Sequence, residues 1–444
     1  MKHKNLSLLK TLIFLSIPTV LEEIMSTLLQ YVDTAMVGRL GEQATASVSV
    51  TTTVSWLVHS IPSAIGVGIL ALISRAVGSE DEELVNRLSK QTMILVLVSG
   101  GIIGGLSMAL SPIIPKLMGA DEAIQSQASW YFFIISAPMI FRVASMLFGS
   151  AIRATKDTAT PMLINFAANI LNVGLNYLFI YTCSLGVIGA AIASAISYIL
   201  AGIGMFIAYQ HKPLLKYKLK TLRLDKQIMK DCFKISAPVM MTSIVSCMGY
   251  VVFASLVTNM GTTVFAAHSI AVTAETIFYI PGYGLRTATS TMVGISLGEG
   301  DRQKFKTVGK MSVAITVFMM IINGLILYFV SLPLMRIFTT SDQVAQIGAA
   351  MLKLVAFSEP FFGIMIVMEG IFYGLGRTKY AFIIETFSMW CIRILFTFFC
   401  VKVWNLGLTA VWICMIADNV AKAILFIAPM VSKKFRNGLF VVNT

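Results

Sequence analysis

The chain has 444 residues, of which 57% are hydrophobic and 12% are charged. Soluble domains carry about 25% charged residues, so this composition excludes an ordinary soluble protein and indicates a polytopic membrane protein. The net charge of +13 does not indicate nucleic-acid binding, because the basic residues concentrate at the ends of the apolar segments.

Apolar segments follow one another along most of the chain, each about 20 residues or longer, which is the length that crosses a bilayer. They predict an all-α fold with about twelve transmembrane helices. The expected spans are 12–37, 47–75, 91–113, 125–150, 161–183, 187–209, 232–259, 263–297, 311–335, 345–374, 380–404 and 408–431. Lys and Arg are most frequent in segments such as 212–234, which face inward if the N-terminus is inside. This bias predicts a multi-pass protein of the cell membrane with both termini in the cytoplasm.

The first predicted helix carries acidic residues although it should cross the membrane. At about 100° per residue, one face of this helix holds Thr19, Glu22, Ser26, Gln30 and Asp33. An ionised carboxylate in hydrocarbon costs about 2.5–3.5 kcal/mol, so such a face should meet a bundle interior or a water-filled cavity. We predict an ion or substrate site there. The alternative is a set of hydrogen-bonded contacts between helices.

The fifth predicted helix carries a second polar face, made of asparagines. Steps of four, three and four residues place its members on one side of the helix, and they are Asn165, Asn169, Asn172 and Asn176. An asparagine carbonyl can accept a hydrogen bond or bind a cation. We therefore expect this face to line a cavity, with Asn169 contributing to substrate binding; hydrogen bonds that only join helices are the alternative.

The second half of the chain repeats the first. Pro18 corresponds to Pro238 and Gly41 to Gly261, and the correspondence continues through six predicted helices. Because six is an even number, both halves should enter the membrane in the same orientation, related by a pseudo-two-fold axis along the membrane normal. The expected parts are an N-lobe of residues 1–210 with helices 1–6, a basic cytoplasmic linker of residues 211–234, and a C-lobe of residues 235–444 with helices 7–12.

The acidic residues are not repeated with the scaffold. Those of the second half lie at Glu275, Glu359, Glu369, Glu385 and Asp418. We predict that Glu275 and Glu369 bind cationic substrates, because a carboxylate in a cavity favours positive ligands, and that Arg286 belongs to the same substrate-binding region. Asp418 and Lys422 stand four residues apart and should neutralise each other.

Several motifs of other protein classes do not occur in the sequence. It has no GxxxxGK[ST] for ATP phosphates, no HExxH metal pair and no GxSxG nucleophile elbow. We therefore expect neither enzymatic activity nor a cofactor, and we expect transport to be driven by an ion gradient.

Several longer motifs resemble a known family. They are VDTAMVGRLG in the first helix, the turns GSEDEE and GEGDRQ, AIRATKDTATPM, LNVGLNYLFIY, AETIFYIPGYG and MEGIFYGLGRTK. Together they resemble the bacterial branch of the multidrug and toxic compound extrusion (MATE) family. The resemblance implies a twelve-helix antiporter that exports organic, often cationic compounds by alternating access in exchange for H⁺ or Na⁺.

The resemblance also implies roles for individual residues. Asp33 matches the helix-1 aspartate of the family and Asn172 its helix-5 asparagine, while Asn176 stands where some relatives have a second aspartate. With Gln30 and Glu22, these residues form the predicted ion-coupling group, and the ion near Asp33 is H⁺ or Na⁺. The C-lobe positions where other branches carry an acid have none here, which argues against a sodium site of that kind.

Two other functions share parts of this pattern. A flippase for lipid-linked precursors would have the same two lobes, but its pyrophosphate head calls for more buried Arg and Lys than the sequence offers. A passive channel would show no gradient-driven uphill flux. As partners we expect small organic molecules and the lipid bilayer but no nucleic acid, and we expect a monomer.

Overall fold

The computed structural model of the chain describes residues 2–217 and 223–432, with side chains from residue 5 onward. Over these residues the regular secondary structure is entirely helical. Ten helices are long and apolar enough to cross a membrane, and the number rises to twelve if each of two bent helix pairs counts as one span. The predicted all-α, multi-pass membrane fold is therefore confirmed.

The chain divides into two compact units, which are described separately. The N-unit comprises Leu21–Ala237, and the C-unit comprises the described residues up to Val20 together with those from Pro238 onward. The helices that begin before residue 226 are α1 (Lys2–Gly38), α2 (Glu42–Gly78), α3 (Glu82–Leu110), α4 (Ile114–Leu117), α5 (Glu122–Ser136), α6 (Met139–Ala154), α7 (Ala159–Asn176) and α8 (Gly186–His211).

The remaining helices lie in the second half of the chain. They are α9 (Lys226–Thr258), α10 (Thr262–Gly298), α11 (Arg302–Phe338), α12 (Asp342–Ala356), α13 (Glu359–Gly374), α14 (Thr378–Phe387), α15 (Leu395–Phe398) and α16 (Leu408–Val431). The start of α11 follows from local chemistry. The Asp301 carboxylate accepts from the backbone N–H groups of Gln303 and Lys304 at the start of α11, which satisfies donors that a helix leaves free in its first turn.

Two predicted spans are bent in the structure. The sequence predicts one helix over 125–150 and one over 345–374, but α5 and α6 meet at 48° and α12 and α13 at 59°. Each of these two predicted spans is therefore present as a bent pair of helices. A proline marks each break, Pro138 before α6 and Pro360 in the first turn of α13. Proline has no backbone N–H to donate to the preceding turn.

Three segments have π-helical geometry instead of the α-helix that the apolar pattern predicts. They are Tyr177–Thr182, Ser388–Ile394 and Phe399–Val403. The first begins directly after Asn176, at the end of the asparagine face. A π-helical turn inserts an extra residue per turn and often occurs at functional sites, so the register of side chains changes immediately beyond this face.

Each unit has an apolar core. In the N-unit it forms between α2, α3, α6 and α8 and includes Ile73, Leu147, Phe148, Ile152 and Tyr209. Helices approach closely there because Gly202 has no side chain; a Cβ atom at this position would lie 2.4 Å from the carbonyl oxygen of Phe141. In the C-unit the core includes Leu327, Leu352, Val355, Val411 and Trp412.

The unit boundaries differ from the predicted lobe boundaries at the start of the chain. The residues up to Val20 pack in the C-unit, where the Thr19 hydroxyl donates to the carbonyl oxygen of Gly284 at 2.9 Å. A Cβ atom at Gly284 would lie 2.5 Å from the backbone nitrogen of Val20, so glycine permits this close approach. The predicted division into residues 1–210, 211–234 and 235–444 otherwise stays a prediction.

The described parts of the predicted linker are fastened to the N-unit. Asp225 and Arg87 form an ion pair at 2.5 Å, and the side-chain amide of Gln91 donates to the carbonyl oxygen of Arg223 at 2.7 Å. The hydrogen bond and the positive charge of Arg87 lower the pKa of the Asp225 carboxyl. Residues 218–222 of this linker lie outside the described part of the chain.

Candidate ion-coupling site

The carboxylate of Asp33 on α1 meets the asparagine face of α7 within the N-unit. Asn176 Nδ2 donates to Asp33 Oδ1 at 2.7 Å, and it also lies 3.2 Å from Asn172 Oδ1. Asn172 and Asn176 are buried, with 7% and 2% of their surface exposed. Helix α7 presents both amides to Asp33 because they stand one turn apart.

The side-chain amide of Asn172 can satisfy its neighbours in two orientations. In one, its oxygen accepts from Asn176 and its nitrogen lies 3.4 Å from the Ser194 hydroxyl. In the other, its nitrogen lies 3.0 Å from both carboxylate oxygens of Asp33 and its oxygen accepts from the backbone N–H of Ser194. The first orientation offers an acceptor to a protonated Asp33, and the second offers a donor to an ionised one.

A free acceptor lies beside this carboxylate. Asn176 Oδ1 is buried and has no hydrogen-bond partner among the described residues. Leaving a buried polar atom without a partner costs free energy, so such an atom calls for an explanation. The amide oxygen and the carboxylate of Asp33 together offer the oxygen ligands that hard cations prefer.

Asp33 differs from Glu22, the other acid predicted for ion coupling. No Lys or Arg in the described part of the chain forms an ion pair with Asp33. Glu22 instead accepts from Arg153 with both oxygens, at 2.6 and 2.7 Å, and from Asn165 Nδ2 at 2.6 Å. Asn165 in turn accepts from the Ser145 hydroxyl at 3.0 Å. The carboxylate of Glu22 is thus neutralised within the protein, whereas that of Asp33 is held by amides only.

Sequence reasoning did not find Arg153. It lies in the motif AIRATKDT, between the predicted spans 125–150 and 161–183, but the structure places it in the last turn of α6. The other two predicted N-unit residues make no side-chain hydrogen bond within the described residues: Gln30 is exposed on α1, and Asn169 is half-buried on α7. Their predicted roles in ion coupling and substrate binding stay predictions.

In the C-unit, two of the predicted substrate-binding residues contact each other. Arg286 on α10 and Glu369 on α13 form an ion pair at 2.8 Å, and the hydroxyl of Tyr373 donates to Glu369. The Arg286 guanidinium also lies over the ring of Tyr283, 4.8 Å from its centroid. Glu369 therefore meets a positive charge and a hydroxyl donor of its own unit.

Glu275, the third predicted substrate-binding residue of this unit, forms no ion pair with a described residue, and 7% of its surface is exposed. Glu359 on α13 is also buried, and its Oε2 atom has no hydrogen-bond partner among the described residues. Among the described residues, these two buried acids of the C-unit thus form no ion pair with a base.

The predicted pair of Asp418 and Lys422 is present, with a distance of 3.3 Å, but it belongs to a larger network. Arg393 lies 2.8 Å from Asp418, and Lys422 lies 2.8 Å from Glu385. All four side chains are buried. Two positive and two negative charges compensate one another here, which is the condition for keeping charges inside a membrane protein.

The fold and these compensated charges define a polytopic membrane protein whose helix bundles hold ionisable groups. Residues 18–178 and residues 238–399 each match the sequence model of the MatE family. The chain therefore belongs to the MATE family of efflux transporters, whose members are not enzymes. The two matched regions lie one in each half, in agreement with the repeat in the sequence.

Relatives are similar over nearly the whole chain. The probable multidrug resistance protein NorM of Thermotoga maritima is 29% identical over 433 residues, which cover 96% of this chain and 93% of that protein. The probable multidrug resistance protein YpnP of Bacillus subtilis is 24% identical, covering 88% of each chain.

Solved structures of transporters share the fold. A MOP superfamily transporter from Pyrococcus furiosus superposes with a TM-score of 0.91 at 22% identity, covering 97% of this chain and 96% of that one. A variant of the Vibrio cholerae MATE transporter VcmN gives a TM-score of 0.91 at 20% identity, covering 98% and 99%. At this level of identity the likeness concerns the fold.

Proposed function

We propose that the protein is a secondary active multidrug exporter, which moves organic compounds out of the cell by alternating access in exchange for H⁺ or Na⁺. Membership of the MATE family and the relatives called multidrug resistance proteins support export of organic compounds. The distribution of Lys and Arg supports a place in the plasma membrane with both termini in the cytoplasm.

The observation that carries the ion-coupling part of this proposal is the environment of Asp33. Its carboxylate lies on a membrane-spanning helix, accepts from Asn176 at 2.7 Å, and forms no ion pair with a described basic residue. An ionised carboxylate in such a place is costly. A bound proton or Na⁺ removes this cost, so the occupancy of the site follows the ion gradient.

For proton coupling, the two orientations of Asn172 supply a physical mechanism. When Asp33 is ionised, the amide nitrogen of Asn172 faces it, and both carboxylate oxygens accept hydrogen bonds. When Asp33 takes up a proton, the amide turns over, and its oxygen accepts the new O–H. Each protonation state is then satisfied by one amide orientation, and the change also reaches Ser194 on α8.

For sodium coupling, the same residues act through their oxygens. Asp33 supplies a carboxylate, and Asn176 Oδ1 supplies an acceptor that the described residues leave without a partner. Turning Asn172 so that its oxygen faces Asp33 adds a third ligand. The proton scheme needs one donor and one acceptor, whereas the sodium scheme needs several oxygens at once.

For the substrates we propose organic compounds that carry a positive charge. Glu275 supports this proposal most directly, because it is a buried acid without an ion pair among the described residues. Glu369 offers a cationic substrate less negative charge than the sequence predicts, because Arg286 forms an ion pair with it at 2.8 Å.

Transport in proteoliposomes tests this proposal. The purified protein is reconstituted with tetraphenylphosphonium as the transported cation, and a proton gradient or a sodium gradient is imposed in separate experiments. We expect uphill movement of tetraphenylphosphonium under at least one gradient, and its loss when an ionophore collapses that gradient. Movement that only follows the substrate's own gradient would identify a passive channel and contradict the proposal.

A further inference from the structure

A second group of polar residues lies in the N-unit, apart from the contacts of Asp33. Arg142 on α6 places Nη2 3.0 Å from Nδ1 of His59 on α2. Its guanidinium carbon lies over the ring of Tyr198 on α8, 4.8 Å from the ring centroid. Three helices thus bring an arginine, a histidine and a tyrosine together within the membrane-spanning part of the unit.

The charge of Arg142 has no carboxylate of the described residues beside it, unlike that of four other bases in the helix bundles. These four form ion pairs with one or more carboxylates: Arg153 with Glu22, Arg286 with Glu369, Arg393 with Asp418, and Lys422 with Glu385 and Asp418. Among the described residues, Arg142 forms no ion pair. Its partners are a histidine ring nitrogen and an aromatic face, both uncharged.

The hydrogen bond to His59 fixes the state of that histidine. A guanidinium can only donate, so Nδ1 of His59 must be the accepting nitrogen and the ring must be neutral. A histidine ring carries no negative charge, so His59 holds Arg142 without balancing its positive charge. The guanidinium has five N–H donors, and the described residues occupy only the one directed at His59.

The arrangement leaves Arg142 accessible. Arg142 is half-buried and His59 is exposed. An arginine in a membrane-spanning helix faces the bundle interior or an aqueous space, because lipid cannot compensate its charge. Stacking on Tyr198 holds the guanidinium plane and leaves donors at its edge free. A planar fork of donors matches a carboxylate with two parallel hydrogen bonds.

We infer that Arg142, held by His59 and Tyr198, is the group of the N-unit that binds the carboxylate of organic substrates. This inference rests on the proposed export function. The site gives the N-unit an anion-binding group, separate from the amides that hold Asp33.

Two dyes that differ in one group test this site. Rhodamine B has a free carboxylate on a cationic ring system, and its ethyl ester has the same rings without that charge. Binding of each dye to the purified full-length protein is measured by equilibrium dialysis at neutral pH. The variant is Arg142→Gln, and the matched control is Arg39→Gln, which removes an exposed arginine of the same unit.

We expect Arg142→Gln to weaken binding of the carboxylate dye at least about tenfold, as removal of a charged hydrogen-bond donor does, and to change ester binding less than about twofold. Arg39→Gln should change neither. If Arg142→Gln does not fold, Arg142→Lys replaces it, and it should weaken only the carboxylate dye because lysine lacks the two-pronged fork.

The alternatives give distinct results. If a folded Arg142 variant lost binding of both dyes equally, or kept binding of both, the carboxylate site would be overturned and the export proposal would stand. If phosphatidylglycerol displaced the carboxylate dye from the wild-type protein but not from the variant, a lipid headgroup would occupy the site instead. A wild-type protein that bound the ester but not the carboxylate dye would likewise overturn the site, whereas the export proposal is decided separately by the transport of tetraphenylphosphonium.

Discussion

The ion pair of Glu22 and Arg153 gives a prediction whose size follows from the structure. Substituting Arg153→Gln removes both charged hydrogen bonds to Glu22, at 2.6 and 2.7 Å. Glu22 keeps the donor of Asn165 at 2.6 Å but loses its positive partner. The double substitution Glu22→Gln with Arg153→Gln removes both charges and leaves two neutral amides that can bond to each other.

The expected cost of the single substitution is about 3 kcal/mol. Breaking a buried pair from one side costs about 3–5 kcal/mol because an uncompensated charge remains. We expect the lower end, since 15% of each side chain is exposed and Asn165 still donates to Glu22. At about 2–4 °C per kcal/mol for a unit of this size, the melting temperature should fall by about 6–12 °C. The double variant should lie close to wild type, since replacing both charges together is often nearly neutral.

Thermal unfolding in detergent, followed by circular dichroism, compares the wild type, Arg153→Gln and the double variant under the same conditions. Transport is measured on the double variant, which we expect to retain gradient-driven export, because the Glu22 charge acts mainly through its ion pair with Arg153 inside the N-unit. Equal melting temperatures for the wild type and Arg153→Gln would refute the stability reasoning. Loss of coupling in a stable double variant would support the predicted role of Glu22 in ion coupling.

Three further predictions concern other charges. Asn176→Asp places a second carboxylate beside Asp33; because like charges this close resist ionising together, the pH optimum of export should shift upward, and an unchanged pH profile would contradict this. Glu369→Gln leaves Arg286 without its carboxylate and should lower the melting temperature by several degrees. The double substitution Glu369→Gln with Arg286→Gln should not lower it. Asp225→Asn should cost only about 0.2–1 kcal/mol at pH 7. In the folded state Arg87 lowers the pKa of the Asp225 carboxyl. The stabilisation is therefore fully present above the pKa of this carboxyl in the unfolded chain, and it should disappear as the pH falls through its pKa in the folded protein. Melting curves of the wild type and Asp225→Asn, recorded from neutral to acid pH, would show this loss.

The helices were predictable because their physical signal is strong and repeated. Long apolar segments have few alternatives in a membrane, and the predicted starts and ends of α8 and α16 agree with the structure to within about two residues, as is usual for helix ends. The breaks at Pro138 and Pro360 were not predicted, since hydropathy averages over a window and does not register a single missing backbone donor. The π-helical segment after Asn176 leaves no signal in the apolar pattern.

The candidate site was predictable where its residues share one helix face. The spacing of Asn172 and Asn176 requires both amides to point the same way, and the structure directs them at Asp33. Pairs between distant helices were not predictable in this way. The contact of Glu22 with Arg153 joins residues far apart in sequence, and no periodicity within either helix encodes it.

The central claim is that Asp33 couples export to the ion gradient, and uphill transport by Asp33→Asn in proteoliposomes tests it most directly. The matched control is Asp121→Asn, the same substitution at an exposed acid of the N-unit. We predict that Asp33→Asn folds and binds tetraphenylphosphonium but does not concentrate it under the gradient that drives the wild type, whereas Asp121→Asn does. Uphill transport by Asp33→Asn at the wild-type rate would contradict the claim.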